Sequence, residues 1–370
     1  MPTIISIVSY PFLPAKLGGQ KGIALFNKYL SRCYRIVCIT TQKNTPAAAE
    51  GYEVSNIISN SPLRYINLFL FFPVYNMIKK EKAAHLILEH PYYGWLGILL
   101  KKACGIQLVV HSHNIESLRW KSLQKWWWPI LAFYEKHTHR QADHNFFIRE
   151  EDRVYAINKF RLKAEKCSTI TYGIEWNTPP RQQEKQVCKK QLQDLYGIDP
   201  GTKIFLFNGS LDYAPNGQAV KTILDILNVQ LLQTGQAYKI IICGKGLPVE
   251  MDELKAYADK NIIYAGFVND ISLYFKGTDI FINPVIDGGG IKTKLVEALG
   301  YNITCVTTES GALGIPPALT GSKMYTVADT DTAGFVKAML RADVSAHIPA
   351  AFFEHFYWGN IALKVKSIIG

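Results

Sequence analysis

No two of the seven cysteines stand in a C-x-x-C pair. An odd, scattered set gives no zinc pattern and no disulfide framework; it fits reduced thiols in a cytoplasmic protein. No apolar run approaches the roughly 18 residues that a membrane span needs. The longest, YINLFLFFPVYNMI (Tyr65 to Ile78), is interrupted by Pro73. The opening MPTIISIVSYPF lacks a basic n-region and reads as a first strand, not a signal peptide. There is no low-complexity tract and no clear internal repeat. No G-x-G-x-x-G follows the first strand, where LGGQKG stands instead, so the chain lacks the signature of an NAD-dependent dehydrogenase.

Acidic residues are scarce in one half only. Residues 1–190 carry 27 Lys+Arg against 13 Asp+Glu, whereas residues 191–370 carry 14 against 17. A basic N-terminal half implies an anionic partner: nucleic acid, an acidic substrate or an anionic membrane. No nucleic-acid-binding motif accompanies the charge.

What is present is alternation. TIISIVSY, RIVCITT, HLILEH, IQLVVHSHN, HNFFI and CSTITYG read as strands in the first half. KIFLFNGS, YKIIICGKG, NIIYAGF, DIFINPV and NITCVTT do so in the second, with helical stretches between. The polar stretch IEWNTPPRQQEKQ separates the halves as a linker. The expected class is α/β, with two Rossmann-like domains, one parallel sheet in each. Ligands bind such sheets at the carboxyl ends of the strands.

The most informative stretch is NPVIDGGGIKTKLVEAL, Asn283 to Leu299. An apolar strand runs into a glycine turn and then a helix with Ile291, Leu295, Ala298 and Leu299 at helical spacing. Gly288, Gly289 and Gly290 allow close backbone approach to a ligand. Unpaired N–H groups at the helix start favour an anion. Lys294 and the nearby Lys292 add positive charge, and Glu297 offers a carboxylate suited to hydroxyls such as those of a ribose. The competing reading is a glycine turn before a solvated helix, with Lys294 and Glu297 as a surface ion pair. Further glycine turns after strands, LGGQKG, FNGSLDYAPN, CGKG and AGFV, favour a ligand site.

With FLFNGSLDYAPN, IIICGKG, IIYAGFVNDISLYFKGTDIFINPV, GGGIKTKLVEALGYNITCVTT and GALGI in that order, the second half resembles the nucleotide-sugar-binding domain of GT-B glycosyltransferases, specifically the retaining family 4 enzymes. LGGQKG and VVHSHNIES extend the resemblance to the first half. The resemblance implies a GT-B fold whose two sheets face across a cleft. It implies an acceptor-side domain over 1–178, with a terminal helix 351–370 packing back on it, and a donor domain over 190–350. The donor implied is a nucleoside diphosphate-sugar, and the acceptor a sugar or lipid-linked sugar. By the same resemblance Glu297 holds the ribose; Gly288, Gly289 and Gly290 cradle the diphosphate, with Gly18 and Gly19 from the other domain; Phe267 and Val268 frame the base. His113 lies near the transferred sugar. Many members carry a first glutamate where this chain has Gly289, and a basic pair where it has Ser210 and Asn216. Lys294, helped by Lys292, is expected to replace that charge, and Asp287 is the nearest candidate for the sugar hydroxyls. Neither a cofactor nor a metal is expected. A catalytically silent nucleotide-sugar-binding protein is the alternative.

His111 and His113 share a face of one strand, but no acid or thiol stands close in sequence to complete a metal site. In RWKSLQKWWWPILAFYEKHTHR, Trp120, Leu123, Trp127, Leu131 and Tyr134 make one helical stripe, read as core. Trp126 and Trp128 fall off it beside Lys121 and Lys125. They suit a membrane interface, unless a neighbouring segment covers them. The expected location is the cytoplasm, peripheral on the inner face of the membrane.

Overall fold

The computed structural model describes residues 1–370. The chain divides into two compact units, Met1–Glu175 with Phe356–Gly370, and Trp176–His355. In the first, seven parallel strands stand in the order β3-β2-β1-β4-β5-β6-β7. They are β1 (Thr3–Val8), β2 (Arg35–Thr41), β3 (Glu53–Ile58), β4 (Ala83–Glu89), β5 (Gln107–Ser112), β6 (His144–Phe147) and β7 (Cys167–Thr169). In the second, six parallel strands stand in the order β10-β9-β8-β11-β12-β13. They are β8 (Lys203–Asn208), β9 (Tyr238–Cys243), β10 (Ile262–Gly266), β11 (Ile280–Asn283), β12 (Thr304–Thr308) and β13 (Met324–Val327).

The central strands are apolar along their whole length because crossover helices cover both faces. All six residues of β1 are buried. The edge strand β3 is only half covered and carries Glu53, Ser55 and Asn56. Strand order reverses at β1/β4 in the first unit and at β8/β11 in the second. Crevices at the carboxyl ends of strands open at such switch points.

The linker is shorter than the polar stretch suggests, since the helix Gln182–Tyr196 already occupies its second half. The terminal segment 351–370 falls into two helices, Ala350–Phe356 and Trp358–Ile369. Between them Tyr357 is extended and forms a β-bridge with Ile174. The second of these helices packs on Gly18–Leu30, with Phe26 and Trp358 ring centroids 6.4 Å apart. The first belongs to the second unit up to His355.

The tryptophan segment departs from its expected stripe. It is two helices, Glu116–Ser122 and Trp128–Gln141, joined by an irregular turn. Leu123 is exposed, and the buried face of the second helix is Glu135, Thr138 and His139. A single period does not run through a turn, so the stripe never forms. Trp120, Trp127, Leu131 and Tyr134 are half-buried.

Candidate active site

Each unit gathers polar side chains at its own switch point. In the second unit the loop after β8 meets the loop after β11. Gly209 has no room for a side chain, because a Cβ there would stand 2.7 Å from Asn216 Nδ2. Asn216 Nδ2 donates to Ser210 O at 3.0 Å, and Asn216 Oδ1 accepts from Lys294 Nζ at 2.9 Å. The Lys294 ammonium lies 4.1 Å from the Phe207 ring centroid, a cation–π contact. Burial, aided by the charge of Lys292, pushes the Lys294 ammonium down to about 7. Lys294 therefore turns inward, toward Asn216 and Phe207.

The glycine turn is built as the sequence requires. Gly288 and Gly290 have φ of 92° and 74°, the left-handed region that favours glycine. Lys292 bends back, donating from Nζ to Gly288 O at 2.7 Å. It stands at the N-cap of the helix Thr293–Gly300, which has no side-chain cap. An uncapped helix start presents its first N–H groups to a ligand. Asp287 is exposed, and Glu297 is half-buried one turn along. Phe267 is exposed and Val268 half-buried on the loop after β10. Strands β9 and β8 separate that loop from the glycine turn along the same sheet edge.

In the first unit, Gly18 and Gly19 open the helix Gly18–Leu30. Gln20 Oε1 accepts from the N–H groups of Lys16 and Leu17, both at 3.0 Å. A Cβ on Gly19 would meet nothing within 4 Å, so its surroundings leave space for a ligand.

His113 lies just past β5. Its Nε2 is 2.7 Å from Glu89 Oε2, and His111 Nδ1 is 3.0 Å from the same oxygen. Burial opposes the charge on Glu89, but His111 and His113 outweigh it and hold the carboxyl well below its usual range. Sequence proximity offered His111 no acid; strand register does, since Glu89 of β4 pairs with His111 of β5. Glu89, His111 and His113 place three potential metal-ligand atoms within 4.8 Å of one another. Both nitrogens stand closer to one carboxylate oxygen than the roughly 3.4 Å between donors around a tetrahedral ion with 2.1 Å bonds, and His113 alone makes a hydrogen bond to it.

A second carboxylate–imidazole pair adjoins the first. His90 Nδ1 is 2.9 Å from Glu116 Oε1, and His90 Nε2 is 3.2 Å from Tyr10 Oη. Tyr92 Oη donates to Glu116 Oε2 at 2.5 Å. Burial resists ionisation of Glu116, but His90 and Tyr92 bring it down to about 2. The His90 and His113 rings stack 4.4 Å apart. His90 has φ 71° and ψ 157°, a backbone region that non-glycine residues rarely occupy. Glu89, His90, Glu116 and Tyr10 escaped the sequence reading. A strand ending in Glu-His-Pro was the one local signal.

Two doubly wound parallel sheets, each with polar groups gathered at its switch point, define a two-domain α/β protein. The chain matches the family Glycosyltransferase Family 4 over residues 18–176 and the family Glycosyl transferases group 1 over residues 202–342. It belongs to these glycosyltransferases, and its fold is GT-B. Sucrose-phosphate synthase from Thermosynechococcus elongatus is similar over 100% of this chain and 98% of its own, with a TM-score of 0.72 and 14% identity. The Anabaena protein HepE, in complex with UDP and glucose, is similar over 99% of both chains, with a TM-score of 0.69 and 14% identity. The lipopolysaccharide outer core galactosyltransferase WaaB is similar over 100% of this chain and 99% of its own, with a TM-score of 0.67 and 14% identity. An uncharacterized 44.6 kDa protein in the cps region of Klebsiella pneumoniae is 24% identical over 220 residues, 56% of this chain. The match spans about half the length of that curated relative, 52%. No helix is long and apolar enough to cross a membrane.

Proposed function

We propose that this protein transfers a sugar from a nucleoside diphosphate-sugar to a hydroxyl of a sugar or lipid-linked sugar, with retention, in the building of a polysaccharide or glycolipid. The observation that carries the reading is the Ser210–Asn216–Lys294 chain beside the glycine turn, at the switch point of the second unit. Lys292, Lys294 and the uncapped helix start supply positive potential for a diphosphate without a metal. HepE, whose structures hold UDP and UDP-glucose, lends support to a donor of that class.

On this reading Gly288, Gly289 and Gly290 approach the diphosphate, as do Gly18 and Gly19. Glu297 accepts from the ribose hydroxyls, Phe267 and Val268 frame the base, and Ser210 and Asp287 serve the donor's polar groups. His113 stands at the transferred sugar. The bond from the anomeric carbon to the diphosphate oxygen breaks, and a bond to the acceptor oxygen forms on the same face. The departing phosphate oxygen takes the acceptor's proton. The basic first half holds the reaction beside an anionic membrane on its cytoplasmic side.

Nucleotide sugars tested singly at 100 times Kd should include one that stabilises the fold by about 2.7 kcal/mol. Turnover of that donor, labelled in the sugar and supplied with EDTA, should then appear in an acceptor product. Stabilisation without any turnover would favour the silent binder, a reading that Gly289 keeps alive by standing where many relatives have a glutamate. Glu297→Gln should weaken the donor about tenfold, near the lower end for a charged hydrogen bond, because the amide oxygen still accepts. An unchanged donor Kd in the variant would remove Glu297 from the site.

A further inference from the structure

Glu89 is fully buried; its Oε2 is hydrogen-bonded to His113 Nε2 and lies 3.0 Å from His111 Nδ1 without hydrogen-bond geometry. Of the two, His113 alone reaches the surface: its side chain is 12% exposed, against 2% for His111. The two nitrogens of His113 have different surroundings. Nε2 faces the carboxylate at 2.7 Å, while Nδ1 has no partner in the protein and is not enclosed. An imidazole nitrogen that faces an ionised carboxylate carries the proton, because a carboxylate only accepts. The other nitrogen of a neutral ring then holds a bare lone pair. Burial, reinforced by the neighbouring His90, lowers His113 and favours the neutral ring. The stacked His90 ring, 4.4 Å away at 29°, limits rotation that would exchange the two nitrogens.

We propose that Glu89 is a positioning residue that fixes His113 as the Nε2–H tautomer, and so makes Nδ1 an acceptor for a hydroxyl of the transferred sugar. The identity of that ligand rests on the transferase reading; the tautomer does not. His113 in this form cannot donate to a ring or carbonyl oxygen. It selects donors that bring a free hydroxyl to Nδ1 and discriminates against their deoxy or O-methyl counterparts.

The test is 15N NMR of the imidazoles of the intact protein at pH 7, with His113 assigned by the signal lost in His113→Gln. A protonated, pyrrole-type Nε2 and a pyridine-type Nδ1 are expected. In Glu89→Gln the amide can present either oxygen or NH2, so a mixture of tautomers should appear. The kcat of that variant should fall roughly tenfold or more, with nucleoside diphosphate affinity held within about threefold. An Nδ1–H tautomer or an imidazolium in the native protein would sink the proposal. So would a Glu89→Gln protein that keeps both tautomer and kcat. One equivalent of zinc in the purified protein would also overturn it, since the three side chains would then be ligands. A native Nε2–H tautomer in a protein that turns over no donor would leave the tautomer assignment standing and remove only the transferase reading.

Discussion

Lys294→Ala should weaken nucleoside diphosphate binding roughly a hundredfold or more and nucleoside binding by less than about threefold. Losing one partner of an enclosed charge pair costs 2–5 kcal/mol, and the proposed partner is phosphate, absent from the nucleoside. The ammonium lies over Phe207 and donates to Asn216 Oδ1, with no carboxylate paired to it. A diphosphate would supply the missing countercharge. The pH dependence has a definite sign. In the free protein burial lowers the group to about 7, so above that pH most Lys294 is neutral. The bound diphosphate favours the ammonium, so binding takes up a proton. Affinity for a nucleotide sugar, whose phosphates stay ionised throughout, should fall as pH rises above about 7, by up to tenfold per unit. Lys294→Ala should flatten that slope. Equal losses for nucleoside and diphosphate, or a slope that survives in the variant, would assign Lys294 to the fold alone. Calorimetric titrations at several pH values read both.

The second large effect concerns the surface of the first unit. Two segments expose apolar side chains: Leu63, Ile66, Leu68, Phe69 and Phe72 after β3, and Trp126, Ile130 and Phe133 after β5. Phe69 is 80% exposed and Trp126 82%. Both segments are pinned to one aromatic seam. Trp95 Nε1 donates to Tyr65 O at 2.8 Å, Tyr65 and Tyr92 pack at 5.6 Å, and Trp120 Nε1 donates to Tyr92 Oη at 3.2 Å. Tyr92 also bonds Glu116, so the seam borders the His90–His113 cluster. Trp128 lies under Lys121, its ring centroid 4.7 Å from Nζ, whereas Trp126 is free to enter a headgroup layer. The protein should co-sediment with anionic vesicles at low salt and dissociate as the Debye length falls from about 10 Å at 0.1 M to 3 Å at 1 M. Lys121 and Lys125, both replaced by alanine, should cost about 2 kcal/mol, roughly thirtyfold in partitioning. Phe69→Ser and Trp126→Ser should weaken binding to neutral and anionic vesicles alike. Indifference to anionic vesicles at low salt would point to a soluble acceptor.

Much of the second unit's site was legible because its parts are local. The glycines, Lys292, Lys294 and Glu297 lie within ten residues of one another, at a strand–helix junction that periodicity reveals. The first unit's cluster was not legible. Glu89 and His113, or His90 and Glu116, meet only because β4 and β5 lie side by side, and strand order is not written in either segment. Edge strands also escaped: β3 (EVSNII) and β13 (MYTV) are half covered, and their mixed polarity lacks the continuous apolar run of a central strand. The tryptophan stripe failed for another reason. Its spacing fits one helix, but residues 123–127 turn and reset the phase.

The backbone at His90 bears on how this protein is to be improved or diversified. A non-glycine residue at φ 71° and ψ 157° sits where strain of about 1–3 kcal/mol is usual. Glycine at 90 would relieve that strain and remove the ring that stacks on His113 and bonds Glu116 and Tyr10. The buried Glu116 carboxylate would lose its imidazole partner, a cost of about 3–5 kcal/mol that exceeds the strain relieved. Selection for thermal tolerance and selection for turnover therefore both retain histidine at 90, and a stabilised variant must find its gain elsewhere in the chain.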